Sequence, residues 1–214
     1  LDSLKRIDLL KDWLSKKLEI DFSISTASSD ASFRRYFRVK TVEDSFIVMD
    51  APPQNESIVA FLKMSQILNS INVNVPDIYE EDDVLGFILM QDFGGDTYLD
   101  VLNDDNQQRL YSDSIESLIQ MQKLVKKDLC QIYTPKILFD EMTLFIKWYL
   151  KKYKKIELTN QENEELLTCF EKIIKKVSKQ DKFFVHRDYH SRNLMIQKSN
   201  NPGILDFQDA LEGP

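Results

Sequence analysis

The stretch "VHRDYHSRNLM", residues 185–195, contains both histidines of the 214-residue chain beside two arginines, an aspartate and an asparagine. This concentration of acid–base and ligand side chains predicts a functional site. One interpretation is a metal site in which His186, Asp188 and His190 supply two imidazoles and a carboxylate. That interpretation is disfavoured, because such a site usually takes its third ligand from a distant strand and the chain has no third histidine.

The spacing within this stretch fits a phosphoryl-transfer loop better. A His-Arg-Asp triplet followed by four residues and an asparagine is the signature of a catalytic loop. Asp188 is therefore predicted to accept the proton of the attacking hydroxyl, and Asn193 to bind Mg²⁺. Asp206, in "ILDFQD", is the predicted second Mg²⁺ ligand on the following hairpin.

The segments before this loop favour strands first and helices later. Apolar residues recur at helical spacing over residues 4–18, and "FRRYFRV" with "SFIVMD" predicts a β-hairpin. A helix over residues 55–70 and two strands within residues 77–93 are expected next. After Gly94 and Gly95 the pattern becomes helical until about Lys179, and two short strands, "NLMIQ" and "ILDF", follow.

Three helices are predicted between residues 104 and 179, the third with a capping box of Thr159 and Glu162. Their expected apolar anchors are Tyr111, Ile115 and Leu118; Leu138, Met142, Phe145 and Tyr149; and Leu166, Phe170, Ile173 and Val177. This order predicts an α+β fold with a nucleotide-binding sheet lobe at residues 1–93. A helical lobe with the catalytic loop is predicted at residues 94–214.

The charge composition of the chain limits which partners it is expected to bind. With 28 Lys and Arg against 35 Asp and Glu, the net charge of −7 argues against a nucleic acid or an anionic membrane as the main partner. The chain has no long apolar run and no secretory pattern at its start, although a leader removed before Leu1 stays open. Its two widely spaced cysteines favour a cytoplasmic protein. Cys130 and Cys169 match no zinc-ligand spacing and are expected to be reduced and buried.

These motifs together resemble the aminoglycoside phosphotransferase and choline kinase superfamily of small-molecule kinases. Within it, "SDASFRRYFRV", "FIVMDAPP", "GFILMQDFG", "VHRDYHSRNLM" and "ILDFQDALEGP" are similar to anomeric kinases that phosphorylate N-acetylmuramate and N-acetylglucosamine in bacterial cell-wall recycling. The resemblance runs from about Ser29 to Pro214. It implies a bilobal, protein-kinase-like fold, ATP and Mg²⁺ as cofactors, and an amino sugar as the substrate. It also implies that the last part of the helical lobe lies beyond these 214 residues.

The expected nucleotide site departs from the protein-kinase pattern. "SDASFRRY" occupies the place of the glycine-rich loop without a glycine, and Met49 or Asp50 stands where the strand lysine is expected. Alternation places Arg34, Tyr36 and Arg38 on one face and Arg35 on the other, so one arginine could supply the missing charge, with Glu56 as its partner. The predicted nucleotide-binding residues are Ser28, Ser29, Asp30, Ala31, Ser32, Arg34, Tyr36, Arg38, Met90, Gln91 and Phe93.

We predict that His190, Arg192 and Asp209 contact the substrate. Two alternatives stay open from the sequence: an ATP-binding regulatory module without turnover, and an aminoglycoside- or choline-type kinase. A protein kinase is disfavoured because "DFQ" lacks the glycine of the protein-kinase switch motif.

Overall fold

The computed structural model describes residues 3–28, 33–124 and 129–214 of the chain. The helices are α1 (Ser3–Leu18), α2 (Val59–Ser70), α3 (Tyr98–Val101), α4 (Gln107–Leu124), α5 (Pro135–Leu144), which continues as a π-helical segment (Phe145–Lys154), and α6 (Asn160–Val177). The strands are β1 (Ser23–Ser28), β2 (Arg35–Lys40), β3 (Ser45–Asp50), β4 (Ile78–Asp82), β5 (Phe87–Gln91), β6 (Gln131–Ile132), β7 (Phe183–Val185), β8 (Leu194–Met195), β9 (Gly203–Ile204) and β10 (Leu211–Gly213). The predicted order of strands, then helices, then a final hairpin is confirmed.

The described chain forms two compact units. One contains Leu1–Ile119 with Asp188–Asp209, and the other contains Gln120–Arg187 with Ala210–Pro214. The larger part of the predicted catalytic loop therefore folds with the amino-terminal sheet. The lobe boundary between residues 93 and 94 stays a prediction.

The first unit is built on a five-stranded antiparallel sheet in the order β1-β2-β3-β5-β4. The hairpin of β2 and β3 and the two strands β4 and β5 agree with the apolar alternation of the sequence. Strand β1 was missed, because "SISTAS" is polar and Ser-rich. It pairs with β2, and Ile24 lies opposite Val39. A polar strand of this kind is tolerated at a sheet edge, where one side of the backbone stays open.

Helix α1 packs on this sheet through its apolar stripe. Its buried side chains and those of the strands form one core cluster: Leu10, Trp13, Leu14, Val39, Val48, Phe87 and Leu89. A polar contact joins the same elements, since Arg6 donates to Asp50 with an Nε–Oδ1 distance of 2.9 Å, and Asp50 is fully buried. Arg35 donates to the other oxygen of Asp50 with an Nε–Oδ2 distance of 3.1 Å. The opening helix is therefore tied to the end of β3 by charge as well as by apolar packing.

The later helices exist where the sequence predicted them, but several predicted anchors are wrong. Tyr111, Ile115, Phe145, Tyr149 and Ile173 are exposed. In α4 the buried face instead carries Leu110, Ser114 and Met121, and in α6 it carries Phe170 and Ile174. A shift of one residue turns a helical face by about 100°, so apolar residues on both flanks of a stripe leave its orientation undecided.

Two further sequence predictions concern single side chains. The capping box of Thr159 and Glu162 at the start of α6 is confirmed. The predicted burial is wrong for Cys169, which is exposed, while Cys130 is half-buried. No helix in the described part of the chain is long and apolar enough to cross a membrane.

Candidate active site

A cavity of about 650 Å³ lies within the first unit and collects most of the predicted site residues. Its lining includes Tyr36, Arg38, Met90, Gln91, Phe93, Asp188, His190, Arg192, Asn193 and Asp206. A second cavity of about 740 Å³ beside α2 and β4 contains none of them. The first cavity is therefore the candidate active site, and we call it the cleft.

Seven predicted residues are not among the described lining of the cleft. Ser29, Asp30, Ala31 and Ser32 lie outside the described residues, as does the side chain of Ser28. Arg34 and Asp209 are described but are not among the residues that line the cleft.

The polar end of the cleft is organised by Asn193. Its side-chain Nδ2 donates to the backbone oxygen of Asp188 at 2.9 Å and lies 3.4 Å from Oδ2 of Asp206. Its backbone oxygen accepts from Leu205 N at 2.9 Å. These bonds join the catalytic loop to the β8–β9 hairpin, so Asp188, Asn193 and Asp206 are held close together.

Asp206 has a left-handed backbone, with φ of +60°. A non-glycine residue in this region is unfavourable, although aspartate is among the side chains that tolerate it best. Such positions cluster at functional sites, where the surrounding structure enforces them.

Asn193 and Asp206 fit a hard divalent cation. Neither the Oδ1 of Asn193 nor the carboxylate of Asp206 meets an arginine, lysine or other cation among the described residues within ion-pair distance. Carboxylate and amide oxygens are the ligands that Mg²⁺ takes, usually with phosphate oxygens and water. The described residues contain no group of three His, Cys, Asp or Glu side chains that could hold a metal, which counts against the His186–Asp188–His190 triad.

Arg34, just before β2, and the β2 arginines Arg35 and Arg38 have different partners. Arg34 forms an ion pair with Glu56 at 2.8 Å, and its Nη1 lies 4.0 Å from Oδ2 of Asp209. Arg35 pairs with Asp50 on the other face of the sheet, as alternation predicts. Arg34 is therefore the arginine that contacts the predicted partner Glu56.

Tyr36 lies between these charges. The pKa of its phenol is raised to about 12, mainly by burial; the Arg34 guanidinium acts in the opposite direction, and the carboxylates of Asp206 and Glu56 add to the increase. Tyr36 is thus a neutral hydrogen-bonding group on the cleft wall at physiological pH.

Arg38 is engaged with the segment after β5. It donates to both oxygens of Asp92, at 2.7 and 3.0 Å, and to the backbone oxygen of Gly94 at 2.6 Å. Ser45 and the Gly94 N–H also donate to Asp92. We call these four residues the hinge clamp. The hinge clamp fixes the segment that links the sheet to α3, and Arg38 contributes to it directly through its hydrogen bonds.

The hinge clamp predicts a pH dependence of stability. Burial raises the pKa of Asp92, but the bonds from Arg38, Ser45 and Gly94 outweigh this effect and hold the pKa below its usual range. A lowered carboxyl pKa contributes stability that is present above the unfolded value of about 4 and is lost as the pH falls through the folded pKa. Asp92→Asn is expected to lower the free energy of unfolding at pH 7 by about 1–3 kcal/mol and to flatten its decline below about pH 4.

Chemical denaturation at a series of pH values measures this effect. Asp83→Asn is a matched control, because Asp83 is an exposed turn residue without a hydrogen bond to another described residue. Equal pH profiles for Asp92→Asn and Asp83→Asn would contradict the role given to the hinge clamp.

Sequence reasoning missed the apolar walls of the cleft. They include Ala27, Ile47, Phe61, Pro76, Met195, Leu205 and Phe207. Ile47 lies opposite Arg38 in the register of β2 and β3, so it shares the sheet face of Tyr36 and Arg38. Strict alternation could therefore have identified it. Met195 lies in the short strand β8 and Leu205 directly follows β9, and such short segments do not reveal from sequence which side faces a ligand. These walls form an apolar slot beside the polar end of the cleft.

Three residues of the quoted stretch, Val185, His186 and Arg187, belong to the second unit. His186 is buried, and Arg187 contacts Glu141, which also accepts a hydrogen bond from Tyr133. Burial, together with the hydrogen bond to Glu141, raises the pKa of Tyr133 to about 12. Arg187 has a left-handed backbone with φ of +76°.

The cleft thus has the layout of a nucleotide-dependent phosphotransferase: an apolar slot under a sheet, a catalytic loop and a carboxylate on the next hairpin. Residues 23–214 match the model of the phosphotransferase enzyme family. The chain belongs to this family, and the resemblance inferred from its motifs is confirmed.

Curated relatives agree with this assignment. The chain is 39% identical to the N-acetylmuramate/N-acetylglucosamine kinase of Pseudomonas putida over 98% of its own length and 65% of that protein. It is 42% identical to the Pseudomonas aeruginosa protein of the same name over 88% of its own length and 55% of that protein. The chain therefore spans less than two thirds of the length of these relatives.

Solved structures show the fold. The ADP-bound aminoglycoside phosphotransferase APH(2'')-Ib is 18% identical and superposes with a TM-score of 0.68, covering 100% of this chain and 72% of that one. The choline kinase LicA of Streptococcus pneumoniae gives a TM-score of 0.64 at 15% identity, covering 96% and 69%. The predicted α+β, protein-kinase-like fold is confirmed.

Proposed function

We propose that the protein is an ATP-dependent phosphotransferase that phosphorylates the anomeric hydroxyl of an amino sugar, N-acetylmuramate or N-acetylglucosamine. One observation carries the proposal: Asp188, Asn193 and Asp206 meet at the polar end of a cleft that also contains an apolar slot. The names of the relatives from both Pseudomonas species support the choice of substrate.

The reaction follows from the position of Asp188. Its carboxylate accepts no hydrogen bond from the described residues, so it can face the acceptor hydroxyl and take its proton. The hydroxyl oxygen then forms a bond to the γ-phosphorus of ATP while the bond to the β,γ-bridging oxygen breaks, and ADP leaves. An anomeric hydroxyl is more acidic than an ordinary alcohol, so a carboxylate is an adequate base.

The remaining residues bind and orient the nucleotide. Asn193 and Asp206 would hold Mg²⁺, which supplies charge neutralisation for the phosphates when bound. The adenine ring would lie in the apolar slot next to Met90, Gln91 and Phe93. His190 and Arg192 line the same cleft and would contact the acceptor, with the Arg192 guanidinium suited to an anionic group such as the carboxylate of N-acetylmuramate.

Arg34 is proposed to replace the strand lysine. Met49 is fully buried and Asp50 is bound by Arg6 and Arg35, so neither position supplies a positive charge to the cleft. Arg34 is paired with Glu56 in the way that a phosphate-binding lysine pairs with a glutamate in kinases.

Substitution of the arginines tests this assignment. Arg34→Met is expected to weaken ATP binding about 10- to 100-fold, because a charge-assisted hydrogen bond is lost. It should change the KM of the sugar much less. Arg38→Met is the matched comparison, since it removes the same charge from the hinge clamp. A larger loss of ATP affinity in Arg38→Met than in Arg34→Met would contradict the assignment.

The function is tested with the full-length protein and Mg-ATP. The acceptors are N-acetylmuramate, N-acetylglucosamine, an aminoglycoside and choline, with ADP release and ³¹P NMR of the product as readouts. We expect an anomeric sugar phosphate. Nucleotide binding without turnover of any acceptor would favour a regulatory module, and phosphorylation of the aminoglycoside or choline alone would overturn the choice of substrate.

A further inference from the structure

Gln208 occupies the third position of "DFQ", directly after Phe207, and its side chain is 6% exposed. We propose that Gln208 is a positioning residue: it fixes the Asp206 carboxylate for metal binding. This inference rests on the proposed phosphotransferase function and adds a residue to the same site.

The contacts of Gln208 are specific. Its Nε2 donates to Oδ1 of Asp206 at 2.6 Å and lies 3.1 Å from Oδ2 of Asp209. Its Oε1 is buried and accepts no hydrogen bond from the described residues. The reversed amide would direct an oxygen at two carboxylates, so the surroundings allow only this orientation.

A neutral amide suits this position better than a cation would. An arginine or lysine bound to Asp206 would neutralise the carboxylate and compete with a metal ion. The amide of Gln208 restrains Oδ1 and leaves the negative charge intact, while Oδ2 faces Asn193 at 3.4 Å. Both oxygens of Asp206 therefore have defined positions before a cation arrives, and outer hydrogen bonds of this kind orient metal ligands.

The backbone around Gln208 is held on both sides. Phe207 is fully buried, and its ring centroid lies 4.9 Å from that of Phe61. Ala210 is also buried. A glycine at the position of Gln208 would give this segment conformational freedom, whereas a buried side chain bonded to two carboxylates removes it. If Asp206 turned out of the cleft, the buried Gln208 amide would lose the nearer of its two acceptors.

The network extends from Gln208 to Arg34. Oδ2 of Asp209 accepts a hydrogen bond from the Gln208 amide and lies 4.0 Å from Nη1 of Arg34. Arg34 in turn pairs with Glu56. The amide therefore connects the proposed metal ligand with the proposed phosphate-binding arginine through one intervening carboxylate.

Metal binding without turnover tests the inference. Gln208→Met keeps the side-chain length and removes the donor, and Gln208→Asn keeps an amide but draws it back by one methylene. The dissociation constant of Mn²⁺ is measured by electron paramagnetic resonance in the full-length protein saturated with ADP. Both variants are expected to bind Mn²⁺ about 10- to 100-fold more weakly, and added Mg²⁺ should restore much of their kcat.

Gln161→Leu is the matched control, since Gln161 also donates its amide to a carboxylate, that of Glu165 at 2.9 Å, on exposed α6. Mn²⁺ affinity equal to wild type in a folded Gln208→Met or Gln208→Asn would overturn the inference, even if the thermal midpoint falls. If Gln208→Met does not fold, Gln208→Asn decides. A wild-type protein that binds no Mn²⁺ with ADP would overturn the proposed function itself.

Discussion

Asp188→Asn is expected to lower the rate of phosphoryl transfer by about 10²- to 10⁴-fold, the usual cost of losing a general base. The asparagine keeps the size of the side chain and one acceptor oxygen, but it cannot take the proton of the hydroxyl. Asn193 contacts the backbone oxygen of Asp188 and not its carboxylate, so the contact with the loop survives the substitution. The affinity for Mg-ATP should therefore stay near that of the wild type.

Steady-state kinetics and nucleotide titration on the full-length protein separate these two effects. Asp181→Asn is a suitable control, because it makes the same change at an exposed position away from the cleft lining. Full activity in Asp188→Asn would show that Asp188 is not the base. A parallel loss of ATP binding would instead indicate a metal-ligand or structural role.

Asp206→Asn should reduce the metal-dependent part of ATP affinity by more than about a hundredfold, because a bound metal contributes several kcal/mol of charge stabilisation to a phosphate site. Asparagine tolerates the left-handed backbone at this position, which makes it a gentler change than alanine. The thermal stabilisation that ATP and Mg²⁺ give together should fall to the level of ATP alone.

Calorimetric titration of the protein with ATP in the presence of Mg²⁺, Mn²⁺ or a chelator measures this difference. The same titrations of Asp206→Ala show the effect of removing both side-chain oxygens. The hinge-clamp variant Asp92→Asn shows how much a carboxylate elsewhere in the cleft contributes. Unchanged thermal shifts with ATP and metal in Asp206→Asn would refute the assignment of Asp206 as a ligand.

Sequence reasoning was most successful where chemistry depends on local spacing. The loop and hairpin that carry Asp188, Asn193 and Asp206 are close in the chain, so their order largely determines that they meet. Alternation in β2 similarly predicted that Tyr36 and Arg38 share a face and that Arg35 does not.

The rest depends on partners distant in sequence or on ambiguous faces. Nothing in the local pattern of Arg6 indicates a buried ion pair with Asp50, 44 residues later. The engagement of Arg38 by Asp92 is equally non-local. In α4, apolar residues flank the buried stripe on both sides, so Tyr111 and Ile115 were wrongly expected to be buried.

The buried contact of Asp50 with Arg6 and Arg35 also constrains how the sequence can drift. Loss of either arginine leaves the carboxylate with one cation, whereas loss of Asp50 leaves two guanidiniums without their shared anion, and unpaired buried charge is strongly unfavourable. Mutational paths through this triad should therefore begin at an arginine, and Arg35, the more exposed of the two, is the easier first step. Asp50 can change only after both cations have gone, which makes the end of β3 a late position to diverge among descendants of this protein.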